Sequence, residues 1–188
     1  MASETYTVFY KPKGVIELLE SGTGQRDDGI LLERALHGSI AQFLENPTAT
    51  GKQKLAWACQ ATKAVSATHE ASVYHCDISV NNLHLDESLT IKLCDFQGQL
   101  LRLDGTVDRD GLSRENTKSC MPRTDDDYSY RKTDIFALGF ALYYILQGHE
   151  PFPDLDPGDD EEEIKRRFMS GQFPELPSHL MNLVTHKC

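Results

Sequence analysis

No apolar run in this sequence approaches the roughly 20 residues that a bilayer-spanning helix needs, so no membrane contact is expected. The opening residues, Met1 to Tyr6, contain neither a basic nor an apolar stretch, so no secretory leader is expected either. Basic charge is scarce. Lys and Arg number 19 against 29 Asp and Glu, a net charge of −10, which argues against a nucleic-acid-binding surface. The five cysteines (59, 76, 94, 120 and 188) are odd in number and no pair has metal-ligand spacing. They read as reduced thiols in a cytoplasmic, intracellular protein. A glycine-rich phosphate loop is missing too. Gly22-Thr23-Gly24 lacks a third glycine and a following helix, and reads as a hairpin loop. What is present is an ordinary globular composition, 39% hydrophobic and 26% charged over 188 residues, enough for one domain with a core.

The informative stretch runs from Tyr74 to Gly98. Leu83, Leu85, Leu89, Ile91 and Leu93 alternate as two short strands would, and Asp86-Glu87 stands where a hairpin would turn. A hairpin brings its ends together, so Asn82 and Asp95 are expected to face one site. An amide oxygen and a carboxylate suit a hard cation such as Mg2+. Asp77 would orient an attacking hydroxyl and accept its proton. Together these groups suit phosphoryl transfer.

The stretch resembles the catalytic loop and magnesium-binding segment of eukaryotic-type protein kinases, H-R-D-x-x-x-x-N followed by D-F-G. Here they read His75-Cys76-Asp77-Ile78-Ser79-Val80-Asn81-Asn82 and Asp95-Phe96-Gln97-Gly98. A second match lies at Asp134 to Gly139, followed by Gly148-His149-Glu150-Pro151-Phe152, similar to the D-x-x-x-x-G helix and G-x-x-P-F of the same family. The resemblance covers roughly residues 15–185. It implies an α+β, protein-kinase-like fold: a mainly helical C-terminal lobe (35–188) with a remnant of the N-terminal β lobe and hinge (1–34). The catalytic loop would be 75–82, the magnesium and activation segment 95–123, and the C-terminal lobe would be truncated at its end. Asp77 and Asn82 would be catalytic. Asn82 and Asp95 would hold Mg2+. Leu32, Glu33 and Ala35 would form the hinge against the adenine of ATP, with His84 under the ring. Asp134 would tie to the backbone of the catalytic loop. The partner would be a protein substrate or another protein.

Departures from the family pattern are equally visible. Cys76 replaces the arginine that links a phosphorylated activation loop to the catalytic loop. Ser79 stands where serine/threonine kinases place a lysine, and Met121-Pro122-Arg123 replaces A-P-E. Gln97 replaces the first glycine of D-F-G, with Gly98 following as a source of flexibility. No G-x-G-x-x-G loop or V-A-I-K lysine occurs in the sequence. Two functions follow: phosphoryl transfer from ATP to protein Ser/Thr hydroxyls by a shortened kinase domain, or a catalytically inactive pseudokinase-like binding module. Exposed strands near Val15 and Ile30 would favour self-association through the N-terminal edge.

Elsewhere, strands are expected at Val15–Leu19 and Ile30–Leu32, a helix at Ile40–Leu44, and a linker over 46–53. A helix over Lys54–Glu70 would bury Leu55, Ala58, Cys59, Thr62, Val65 and Ser66, with His69 a packing residue. Residues 99–130 read as irregular, with Thr117, Ser119 and Thr124 as candidate phosphorylation sites and Asp125 to Asp127 as a charge cluster. Lys132–Leu146 is apolar almost all round and reads as a buried helix. Seven acids between Asp154 and Glu163 read as a solvated loop, and short helices are expected at Glu162–Met169 and Leu176–Val184.

Overall fold

The computed structural model describes residues 14–15, 18–21, 30–46, 48–123 and 129–174. The expected loop before Gly29, Thr124, the cluster at Asp125 to Asp127 and the helix at Leu176–Val184 lie outside the described residues. The elements in order are β1 (Leu18–Ser21), β2 (Ile30–Leu32), α1 (Ile40–Leu44), α2 (Gly51–Glu70), β3 (Val73–Tyr74), β4 (Leu83–Leu85), β5 (Ile91–Leu93), β6 (Gln99–Leu101) and β7 (Val107–Asp110). A 3-10 turn (Thr117–Ser119), α3 (Arg131–Gln147) and α4 (Glu161–Met169) follow. The fold is α+β, with three small antiparallel sheets and two long helices.

The β4–β5 hairpin forms as its alternation requires. Leu83 pairs with Leu93, His84 with Lys92 and Leu85 with Ile91. The four aliphatic side chains point inward and are fully buried, each worth about 1.5–3 kcal/mol in burial alone. They meet Ala137, Leu138, Ala141, Leu142 and Ile145 of α3 and the inner face of α2 in one core. Asp86 fastens the turn, its side chain accepting from the N–H groups of Ser88 (2.8 Å) and Thr90 (2.9 Å). A second cluster of Phe152, Ile164 and Phe168 packs against Phe136 and Phe140 on the far side of α3. This explains why α3 is apolar almost all round.

Helix α2 corrects two expectations. It begins at Gly51, inside the supposed linker, because Thr50 and Gln53 form a reciprocal capping box. Its buried stripe is Trp57, Ala58, Ala61, Ala64, Val65 and Thr68, while Leu55, Cys59, Thr62 and Ser66 are exposed. Alanines carry little hydrophobic signal, yet their small size lets α2 approach α3 and β5 closely. Trp57 completes the stripe and donates from its indole nitrogen to the Leu89 carbonyl at 2.9 Å.

Residues 99–110 are not irregular. Strands β6 and β7 form a hairpin on β3, turned at Asp104-Gly105, where Gly105 has φ +82°. Strand β7 is exposed at every position, so it carries no hydrophobic alternation to read. Strand β1 includes Leu18 and Leu19 of its expected span and continues to Ser21, and Val15 bridges Leu93. The acidic stretch is not a plain loop either. Its last three acids begin α4, where the helix N-terminus favours negative charge, and Glu163 pairs with Arg166 (2.7 Å) and Arg167 (2.9 Å).

Candidate active site

The site is anchored from below by Asp134, in the first turn of α3 and fully buried. A buried carboxylate needs donors. They come from a loop some 60 residues away in sequence. One carboxylate oxygen accepts from the Cys76 N–H (2.9 Å) and the other from the His75 N–H (2.8 Å). Nε2 of His69, at the end of α2, lies 2.8 Å from that second oxygen. His69 therefore packs and also binds the aspartate. Cys76 adopts φ +63°, a left-handed conformation that these bonds hold in place.

His75 passes this order on. Its Nδ1 accepts from the Asp77 N–H at 3.3 Å, which puts the ring proton on Nε2, and Nε2 donates to the Cys94 carbonyl at 2.8 Å. One buried ring thus joins the segments that carry Asp77 and Asp95. Phe96 packs edge-on against it, with ring centroids 4.9 Å apart.

Asp77 and Asn82 are in direct contact. The Asn82 amide group donates to the Asp77 backbone carbonyl at 2.8 Å and to its carboxylate at 2.9 Å. Burial pushes the Asp77 carboxyl above its usual range, and the charges of Asp95 and Glu115 push the same way. The Asn82 hydrogen bond and His75 oppose them. Cys94 N–H donates to the Asn82 carbonyl at 3.0 Å, so the hairpin closes with Asp95 one residue beyond. Asp95 is exposed, with φ +63°. The Gln97 amide donates to its carboxylate at 2.8 Å. Both Nδ2 hydrogens of Asn82 are spent on Asp77, which leaves the Asn82 side-chain oxygen as its ligand atom. That oxygen and the Asp95 carboxylate are hard donors of the kind that could hold Mg2+. Among the described residues no cluster of three or more His, Cys, Asp or Glu could hold a metal alone. A cation here would complete its shell with water or other oxygen ligands.

Gly98 is required for a reason other than flexibility. Its φ is not positive, but a Cβ there would collide with the carbonyl oxygens of Tyr74 and His75. The backbone passes too close to Tyr74 and His75 for any side chain.

The supposed hinge residues run from Leu32, the last residue of β2, into the segment that follows. Leu32 is exposed and Glu33 half-buried. Glu33 forms an ion pair with Lys92 at 2.9 Å, and Lys92 faces His84 across the outer side of the β4–β5 hairpin. Glu33 and His84 therefore share one face, through a lysine that sequence reading missed. Its signal was available, since alternation places Lys92 opposite the apolar face. His84 Nε2 lies 3.0 Å from the Asn81 carbonyl. Ala35 accepts a weak bond from Gly38 N–H at 3.4 Å, and the neighbouring segment pairs with Leu85 through His37 N–H (3.0 Å) and the Gly38 carbonyl (2.9 Å).

The sequence also hid three charged residues between Glu115 and Arg123. Arg123 donates to Glu115 at 2.8 Å with both side chains almost wholly buried. Cys76 lies next to this pair and to Ser129, and burial pushes its thiol up to about 11. Lys118, 8% exposed, pairs with Glu150 at 3.0 Å. Ser119 is buried and bonds to the Asn116 carbonyl, which places it out of reach as a phosphorylation site. A cavity of about 320 Å³ opens beside Asp77, Ser79 and Asn82, with Lys118, Tyr144 and Glu150 on its other walls. No described helix is long and apolar enough to cross a membrane.

The family model described as "Protein kinase domain" matches residues 9–185. Among curated proteins, the chain is 30% identical over 145 residues to ribosomal protein S6 kinase alpha-6 of Mus musculus, covering 67% of this chain and 19% of that protein. It is 29% identical over 154 residues to serine/threonine-protein kinase mig-15 of Caenorhabditis elegans, covering 76% and 14%. It is 27% identical over 150 residues to sucrose non-fermenting protein kinase 1 of Fusarium virguliforme, covering 79% and 20%. The chain thus spans a fifth or less of the length of these relatives.

Proposed function

The chain belongs to the protein kinase domain family, and from that premise we propose that it transfers the γ-phosphoryl group of ATP to Ser or Thr hydroxyls of a protein substrate. The observation that carries this reading is the double hydrogen bond from Asn82 to Asp77. It fixes the carboxylate that would take the hydroxyl proton while keeping the Asn82 oxygen for a cation. Asp95 supplies the second ligand. When bound, Mg2+ neutralises charge on the phosphate oxygens. Asp77 orients the acceptor hydroxyl, and its raised proton affinity suits a general base. Leu32, Glu33 and Ala35 meet the adenine, with His84 beneath it. In this reading residues up to 34 belong to the N-terminal lobe and hinge, and 35–188 to the C-terminal lobe. Free thiols at Cys59, Cys76, Cys94 and Cys120 support a cytoplasmic setting. The β1–β2 pair supports self-association through its edge.

The test is thermal unfolding with ATP and Mg2+, run beside Asp95→Asn. A magnesium-dependent rise in midpoint that the variant loses is expected. Phosphoryl transfer to a protein acceptor, lost in Asp77→Asn, then follows. A shift without transfer would favour a nucleotide-binding module. No shift in a folded sample would refute the nucleotide site.

A further inference from the structure

We propose that the cavity beside Asp77 selects protein substrates with an acidic side chain next to the phosphoacceptor, and that Glu150 occupies that side chain's place until the substrate arrives. This rests on the phosphoryl-transfer reading, since Asp77 marks where the acceptor hydroxyl sits.

The argument turns on an unequal ion pair. Lys118 and Glu150 meet at 3.0 Å across the cavity, but the lysine side chain is 8% exposed and the glutamate 55%. Lys118 is held on a rigid mount. Its N–H donates to the Asn116 side chain at 3.0 Å, the Ser119 N–H donates to the Asn116 carbonyl at 2.8 Å, and the Ser119 hydroxyl bonds the same carbonyl at 3.1 Å. Glu150 sits on the turn that follows the left-handed Gly148. A buried cation left without an anion is costly, whereas an exposed carboxylate returning to water loses little. A ligand carboxylate can therefore displace Glu150 and leave no charge orphaned. A ligand cation that captured Glu150 would strand Lys118. The asymmetry selects anions.

The surroundings agree. Arg114 lines the same cavity. The remaining walls include Ile78, Phe140, Ala141 and Pro151, an apolar floor on which a peptide backbone and the stem of a Glu side chain can rest.

The experiment measures binding of three labelled peptides to the full chain by fluorescence anisotropy. The peptides differ only in the residue after the acceptor serine: Glu, Gln or Lys. The Glu peptide is expected to bind tightest, with a preference that fades as salt rises. Glu150→Gln should tighten the Glu peptide by roughly two- to fivefold and leave the Gln peptide unchanged. Lys118→Met should erase the difference between the Glu and Gln peptides. If that variant does not fold, the Glu150→Gln result decides alone. A preference for the Lys peptide, its selective loss in Glu150→Gln, or no discrimination among the three overturns the proposal. The ATP and Mg2+ titration on the same samples separates the two readings. A shift without peptide preference overturns the acidic pocket and keeps the nucleotide site. Glu-peptide preference without a shift keeps the pocket and overturns the nucleotide site.

Discussion

His75 and Asp134 are 59 positions apart, yet the backbone N–H of one donates to the buried carboxylate of the other at 2.8 Å. The His75 ring meanwhile grips the carbonyl of Cys94. Helix α3, the loop from His75 to Asn82 and the segment leading to Asp95 are thereby one mechanical unit.

Removing the centre of that unit should cost more than a surface change. Asp134→Ala leaves two buried N–H groups and His69 without their acceptor, and should destabilise the chain by about 3–5 kcal/mol. Urea unfolding followed by circular dichroism measures this. Asp134→Asn, which keeps one acceptor oxygen, should cost less.

Asp77 should behave oppositely. Its carboxyl is raised in the folded state, chiefly by burial, so the charged form is disfavoured by folding. Its stabilising contribution is therefore complete below the unfolded pKa of about 3.9 and is lost as pH rises through the higher folded value. Asp77→Asn should unfold at a higher temperature than the parent at pH 7, and the gain should vanish near pH 3.5. Thermal melts across that range decide it. The acid limb of kcat/KM for the parent should likewise lie above about 3.9.

Gly98 and Gln97 are neighbours with contrasting tolerance. Gly98→Ala places a methyl against the Tyr74 and His75 carbonyls, and should destabilise by about 1–3 kcal/mol as overpacking does. Gln97→Gly, at an exposed position, should change stability by about 0.5–1 kcal/mol at most. Paired denaturation curves compare them.

The Glu115–Arg123 pair should show strong coupling. Arg123→Met leaves Glu115 as a buried charge and should cost about 3–5 kcal/mol, whereas replacing both with apolar residues should cost much less. A double-mutant cycle reads the coupling directly. Additive losses would show that the pair does not act as a unit.

Much of this was legible because chemistry and pattern agreed. The alternation from Leu83 to Leu93 specified the β4–β5 hairpin, and the hairpin placed Asn82 beside the segment that carries Asp95. Asp134 was legible as a buried carboxylate and the family resemblance implied its backbone partners, but not His69. The α2 stripe was misread because alanine burial rests on closeness rather than hydrophobicity. Strand β7 was missed because an edge strand with no buried side leaves no period in the sequence. Lys118 and Glu115 were missed because their partners lie 32 and 8 residues away. No local pattern encodes such pairs, and only the folded chain brings them together.

The Asp134 clamp has a consequence for amide exchange. The His75 and Cys76 amides are buried donors to a group inside α3, so local fraying of the loop cannot expose them while that helix stays docked. Their protons should exchange with deuterium only when the domain opens as a whole. The residues flanking the proposed base would then rank among the slowest-exchanging in the protein, although they lie in a loop.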